Sequence, residues 1–482
     1  MRRRSRINPY FFILGFLGFA NICHAEDVSR YIVEDAPIIA LTQALIIDGT
    51  GAAPVANQTV IIRDGRITRI GPDTGVDIPE NARLIALGGK ALLPGWVMLH
   101  EHLFHSVAPW RDPAFAWDQP LSYPKLYLAA GVTSARTAGS LDPYTDLGIK
   151  KAIAAGTMVG PDFDFTAPYI DGEPGSVLQD HPLDSVQAVR EHVRFWAGQG
   201  FTSFKAYVFI TPEQLGAAID EAHQLGLKIT MHPCSVTYRE AVNLGIDQIE
   251  HGFFHMADFQ PGKLAGQCND ENQLESLIAL SADDERVQSL FSYLIEHHVT
   301  ITSTPAVYAR MAQMLPPLEE GDVALLDKSS ADYYREDLAR GAKHATDAAV
   351  IEVQQAVKAN WSLEAAFWRA GGKLVVGSDA VPPGSLAGNE NLTSIELLAE
   401  EGIPPLDVIR IATRNGAEAL SIADDRGTIA VGKRADLIVI DGNPAMNIRD
   451  IRHIELVFKN GIGYDPAALR QSALGTIGGP KP

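Results

Sequence analysis

The sequence predicts an α/β fold: a (β/α)8 TIM barrel over residues 92–419, carrying a small composite β-sandwich domain built from residues 26–91 and 420–470. Three observations predict it. Short apolar runs alternate with helical stretches through the middle of the chain. Both ends are β-rich and punctuated by turns. Five of the central runs carry a histidine, lysine or aspartate at or near their C-terminal ends. Strand–helix alternation over roughly 320 residues implies a parallel sheet with helices outside it. A chain of 482 residues has length enough for one large domain and a smaller one.

The first residues stand apart from this pattern. Arg2, Arg3, Arg4 and Arg6 precede an apolar run from Tyr10 to Ala20, and Cys23-His24-Ala25 offers small residues at −3 and −1. That is the layout of a secretory signal peptide over residues 1–25, cut after Ala25, and it predicts a periplasmic or secreted protein. The apolar run is short for a membrane span. Asn21 and Ile22 stand where a lipoprotein signal ending at Cys23 wants small residues. Cleavage would remove four arginines and no acids, leaving 36 basic against 59 acidic side chains, a formal charge of −23 in place of −19. Such an acidic surface argues against nucleic acid and anionic membranes as partners. Only Cys234 and Cys268 would remain. Export permits them to pair, but two cysteines do not make a disulfide framework, and the question stays open at this level.

At the N-terminal end of the mature chain, Thr59–Arg63 and Arg66–Ile70 flank Asp64-Gly65, the residue pair of a tight hairpin turn. The other end repeats the theme with Ala435–Asp441, Ile454–Phe458 and a turn at Asn460-Gly461. Strands this short must bury a face against something, which is why the two ends are expected to form one domain. The tail after about Arg470 reads as frayed.

Between the ends lie eight candidate strands: Trp96–Leu99, Val132–Ala135, Phe163–Thr166, Ser203–Tyr207, Lys228–Met231, Gln248–Glu250, Val299–Thr304 and Leu374–Gly377. Thr211-Pro212-Glu213 opens a helix with an N-cap, proline at its first position and an acid in the first turn. An open doubly wound sheet would want a glycine-rich phosphate turn after the first strand. That strand ends in His100-Glu101-His102 instead. The connections Phe253–His298 and Ala306–Ala370 are long, and Val287, Leu290, Phe291 and Leu294 are spaced for one helix face. These insertions read either as a wall or lid over the active face or as extra surface helices.

Alternation along a strand points His100 and His102 to one side. In a barrel, residues at the C-terminal strand ends converge on one mouth. Lys205, His232, His251 and Asp379 join the two histidines there, and the set is a ligand inventory for zinc or a similar divalent ion. Singly, each residue has an ordinary use: a backbone-bonded loop histidine, a helix-capping aspartate, a snorkelling lysine. Six in register across five strands do not.

With these motifs in place, the chain resembles the amidohydrolase superfamily of metal-dependent hydrolases. Leu93-Pro94-Gly95 leading to His100-x-His102, the strand-four lysine, the histidines ending strands five and six, Gly377-Ser378-Asp379 and the closing Gly432-Lys-Arg-Ala-Asp-Leu437 follow its pattern in order over nearly the whole mature chain. The Ile249–Gly252 and Gly131–Ser134 segments are similar to the branch of imidazolonepropionase-like enzymes and Xaa-Pro and other dipeptidases. The resemblance implies a binuclear site, with His100, His102 and Asp379 on one metal, His232 and His251 on the other, and Lys205 carbamylated by CO2 as the bridge. It implies hydrolysis of a carbon–nitrogen bond in a small amide or dipeptide-like substrate, with Asp379 moving the proton. Pro233-Cys234 after strand five, Arg136-Thr137 after strand two and the residues around Asn389 depart from the common substrate-binding pattern. Tyr207, Cys234, His255 and Tyr308 are the candidate substrate contacts, with His105 beside the first motif. Two alternatives remain: opening of a cyclic amide or lactone, and a periplasmic binding protein that keeps the barrel without turnover.

Overall fold

The computed structural model describes residues 26–106, 115–177, 179–269 and 272–479, so the expected signal peptide lies outside the described residues. All eight expected parallel strands are present: β1 (Trp96–Glu101), β2 (Val132–Thr137), β3 (Asp162–Asp164), β4 (Ser203–Ala206), β5 (Lys228–Met231), β6 (Gln248–Glu250), β7 (Thr300–Ser303) and β8 (Leu374–Val376). Six of them are buried throughout, as strands covered by helices must be; Asp162 and Asp164 of β3 are half-buried and Lys228 of β5 is exposed. The unit is an α/β, TIM-barrel-like fold. Its ladders are continuous within two sheets, β1–β2–β3 and β4 through β8. Single parallel bridges, Thr166 with Ser203 and Ile170 with Ala206, span the seam between β3 and β4. At the other seam the Asp379 N–H donates to the His100 carbonyl at 3.0 Å.

The two ends of the chain pair with each other, as expected, and nine strands hydrogen-bond as one continuous sheet. Its inner face closes on one core, in which Ile39, Leu41, Val60 and Ile62 pack with Leu92, Leu437, Val439 and Phe458. The strand Ile38–Ile46 links the two parts. Gln43, at φ 60°, interrupts it. Before that point one edge pairs with Arg83–Ala86, and after it with Lys90–Pro94. Lys90–Pro94 pairs in turn with Leu437–Asp441, placing Leu92–Pro94 in this sheet, ahead of β1. Asp64 and Gly65 form the expected hairpin turn, both with positive φ.

Capping follows the sequence. Thr211 and Gln214 exchange a full capping box at the start of the helix Pro212–Gln224. In the helix Glu285–Glu296, Val287, Leu290, Phe291 and Leu294 are the buried face. The second long insertion holds the helices Lys328–His344 and Ala348–Arg369. Among the described residues, no helix is long and apolar enough to cross a membrane.

The tail is not frayed. After the helix Pro466–Gln471 it runs on with Ala473 and Ile477 fully buried. Ile477 donates to the Leu325 carbonyl at 3.0 Å and accepts from Asp327 N–H at 2.7 Å. Gly478 exchanges two hydrogen bonds with the Gln119 side chain, whose backbone N–H donates to Leu103, the residue after His102. Two lone apolar residues in a glycine-rich segment gave no periodic signal, yet each fills a slot in the core.

Candidate metal centre

Each expected ligand stands at or just beyond the C-terminal end of its strand, and the fold brings them to one mouth. His100, His251 and Asp379 form the tight group: their ligand atoms all lie within 4.8 Å of one another. His102 Nε2 is 3.1 Å from Asp379 Oδ1. Lys205 Nζ is 3.3 Å from His100 Nε2. His232 stands further out, its ring 4.5 Å from that of His251. The tight group thus joins His251 to His100 and Asp379, across the two ligand sets that the resemblance implies.

The buried acid beneath the site settles a tautomer. His100 Nδ1 is 2.6 Å from Glu250 Oε2. Burial pushes Glu250 up, but Arg136, His100 and Lys205 overcome this and hold it at about 2, so it is an acceptor. His100 therefore donates from Nδ1 and turns the lone pair of Nε2 toward Lys205 and Asp379. Arg136 fixes Glu250 in turn, at 2.6 Å, while also donating to Gln248 and to the Leu99 carbonyl. Arg136, the first residue of the Arg136-Thr137 pair, thus works underneath the site.

Burial pushes Asp379 up; His100, His102 and Lys205 more than reverse that and keep it well below the usual carboxylate range. Burial lowers His100 to about 4 and drives His232 and His251 well down, so these imidazoles are neutral and able to ligate. Burial also lowers Lys205 to about 8, against the pull of Glu250 and Asp379. His251 and Asp379 both hold left-handed backbone, at φ 70° and 49°. Such strain collects at functional sites, at a cost of order 1–3 kcal/mol per residue.

The donor set suits a divalent metal. Four imidazoles lowered by burial, with a carboxylate held ionised and a lysine below its ordinary range, are a set such an ion accepts. Among the described residues, His232 Nδ1 is buried with no hydrogen-bond partner, which a protein ordinarily avoids unless something else fills that role.

The candidate substrate contacts separate into kinds. The Tyr207 ring lies 5.2 Å from His232. His255 Nε2 meets the Tyr308 hydroxyl at 2.8 Å. Cys234 is tied to Cys268 in a disulfide, so it offers no thiol to a substrate. His105 Nδ1 is engaged by the Tyr123 hydroxyl at 2.9 Å. Tyr169 escaped the sequence reading. Its ring packs 4.4 Å from that of Tyr207, and Lys205 Nζ sits 5.7 Å from its centroid. The aromatic Pro168-Tyr169-Ile170 run beyond β3 was its only signal.

Known proteins place this geometry. An imidazolonepropionase from Rhizobium rhizogenes is 25% identical over 439 residues, covering 86% of this chain and 92% of that protein. An adenine deaminase from Klebsiella pneumoniae (strain 342) is 38% identical, but over 80 residues, which are 16% of this chain and 13% of the deaminase. The crystal structure of a Xaa-Pro dipeptidase with bound methionine in the active site, 19% identical, superposes with a TM-score of 0.64 over 89% of this chain and 100% of that one, a likeness of fold. The model of the Amidohydrolase family matches residues 91–462, from the strand leading into β1 to the last strand of the terminal sheet, and the chain belongs to that family.

Proposed function

We propose that this hydrolase of carbon–nitrogen bonds is exported and cleaves the amide bond of a small, dipeptide-like or N-acyl substrate, with two divalent ions, zinc by their ligand set. His100, His102, His232, His251 and Asp379 would hold them, with a carbamylated Lys205 between, at the mouth of a closed (β/α)8 barrel. The observation that carries the reading is the convergence of His100, His251 and Asp379 within 4.8 Å. The unpartnered Nδ1 of His232 beside them supports it.

The chemistry that cations supply in such a set is Lewis acidity, which activates water and polarises a carbonyl. The chain's own residues do the rest. Asp379, kept ionised by His100, His102 and Lys205, takes the proton from the attacking water and returns it to the leaving nitrogen. Glu250 and Arg136 hold His100 in one tautomer. Burial of Lys205 keeps part of it as free amine near neutral pH, the form that reacts with CO2. The signal-like segment at residues 1–25 supports export, and a disulfide suits an oxidising compartment.

A second reading, opening of a cyclic amide or lactone, is favoured by the likeness to imidazolonepropionase over most of both chains. One experiment addresses both: metal content of the mature protein by plasma emission, with turnover of a panel of dipeptides, N-acyl amino acids and cyclic amides. About two metals per chain with amide cleavage supports the proposal. Turnover of cyclic substrates alone selects the second reading. No metal uptake with added zinc and bicarbonate, and no turnover, refutes both.

A further inference from the structure

The loop that follows His251 comes back over the site and is fastened there. Cys268 is joined to Cys234, two residues after His232, with Cα atoms 5.0 Å apart. Close by, Gly266 N–H donates to the Ser235 carbonyl at 3.1 Å, and Lys263 Nζ donates to the same carbonyl at 2.7 Å. Asp258 accepts the backbone N–H groups of Tyr238 and Arg239 at 2.9 and 3.0 Å. The excursion 253–269 is thus sewn to the segment 234–239 that leaves β5. What it carries inward is His255, whose ring lies 4.4 Å from that of His232.

Tyr308, from the helix Pro305–Met311 after β7, meets His255 from the other side. Its hydroxyl is 2.8 Å from His255 Nε2, and its ring stacks on Phe254 with centroids 4.0 Å apart. Tyr308 is buried, and among the described residues His255 Nε2 is the hydrogen-bonding partner of its hydroxyl. A buried hydroxyl proton needs an acceptor, so the O–H donates to Nε2. A neutral imidazole that accepts at Nε2 carries its proton on Nδ1. A protonated one carries a proton there as well. In either state His255 offers Nδ1–H as a donor at the rim of the metal centre.

We infer that His255 is a substrate-binding residue whose Nδ1–H donates to the carbonyl oxygen of the bound amide, with Tyr308 and the Cys234–Cys268 disulfide as the positioning elements that fix its tautomer and its place. This rests on the hydrolase reading above. The donor is rigid because two different parts of the fold hold it, as an oxyanion-binding group requires.

The test has an arm that needs no substrate. Nitrogen-15 histidine spectra of the metal-loaded protein should show His255 as the Nδ1–H tautomer, and Tyr308→Phe should release it to a mixture. An Nε2–H tautomer in the parent protein overturns the inference. In kinetics on the best panel substrate, His255→Leu should lower kcat/KM about 100-fold, the scale of a lost oxyanion donor, with metal content unchanged. His255→Gln should recover part of the loss. Full kcat/KM in His255→Leu overturns the inference. The Cys234→Ser, Cys268→Ser pair should lower kcat/KM too, and His255→Leu added to it should cost less than in the parent. Strict additivity refutes the positioning role of the disulfide. A panel without turnover by the parent refutes the hydrolase reading, whereas the wrong tautomer refutes the donor alone.

Discussion

Glu101 grips Ser378 from two directions. Its Oε1 accepts the Ser378 backbone N–H at 3.0 Å, and its Oε2 accepts the Ser378 hydroxyl. Asn391 Nδ2 adds a third hydrogen bond, to Oε1, at 2.8 Å. Glu101 lies between His100 and His102, and Ser378 precedes Asp379. The ligands of β1 and the aspartate after β8 are therefore tied across the seam of the parallel sheet by one buried carboxyl, on residues adjacent to the ligands themselves. Burial raises Glu101 to about 8, although Ser378, Tyr127 and Asn391 pull it back.

Cutting this clasp is expected to be costly. Glu101→Ala leaves the Ser378 N–H and the Asn391 amide buried without acceptors, at about 1–3 kcal/mol each. Urea unfolding should show the loss, and metal content should fall with it because Asp379 is no longer held against His100. Glu101→Gln keeps the acceptor for Ser378 N–H and should lose less. An alanine variant with parental stability and full metal would show that the seam is closed by other means.

Two substitutions separate holding metal from moving protons. Lys205→Ala should leave the fold intact, judged by circular dichroism, and reduce metal occupancy. Asp379→Asn should also fold but abolish turnover. Full activity in either variant removes the role given to that residue.

Glu364 gives the protein a pH slope that can be isolated. It is buried, accepting from Ser303 Oγ at 2.5 Å and from Asn360 Nδ2 at 2.9 Å, and burial raises it from 4.5 to about 7. Between those two values the folded state holds a proton that the unfolded chain has released. Stability contributed by this group is present below pH 4.5 and is lost as pH rises through 7. Glu364→Gln should flatten that part of the curve and leave the variant more stable above pH 7, by on the order of 3 kcal/mol, with the loss of one acceptor toward Ser303 or Asn360 reducing the gain. Denaturant titrations at pH 5 and pH 8 read the difference; an unchanged slope would mean that Glu364 is not the group responsible.

Gly252 should tolerate no side chain. It holds φ +63°, and a Cβ there would stand 1.6 Å from Glu364 Oε1. Gly252→Ala is expected to lose about 4 kcal/mol or more, or to fail to fold. Since the glycine follows His251, a folded variant should also lose metal. Near-parental melting would mean that the helix Ala348–Arg369 can retreat at little cost.

The candidate ligands stood out in the sequence because they break a pattern. A histidine or aspartate closing an apolar β-run has no packing reason to be there, and several such breaks in register predict a shared mouth. The groups that hold the ligands were not legible, because nothing local distinguishes them. Glu101 and Glu250 sit within the same short motifs as the ligands, but their partners Ser378 and Arg136 are 277 and 114 residues away, and those pairings exist only after the barrel forms. The disulfide is of the same kind: Cys234 and Cys268 are 34 residues apart and meet only because the loop after β6 doubles back onto β5's exit. The terminal strands were recognisable by turns and alternation, but the change of neighbours within the strand Ile38–Ile46, at the single residue Gln43, carries no local signal.

The buried tail bears on how the protein can be handled. Ile477 is fully enclosed and Gly478 is locked to Gln119, within a few residues of His102. Removing Ile477 and Gly478 would empty a slot in the core and free the side chain of Gln119, whose backbone N–H holds Leu103 beside His102, so trimming this tail should be felt at the candidate site.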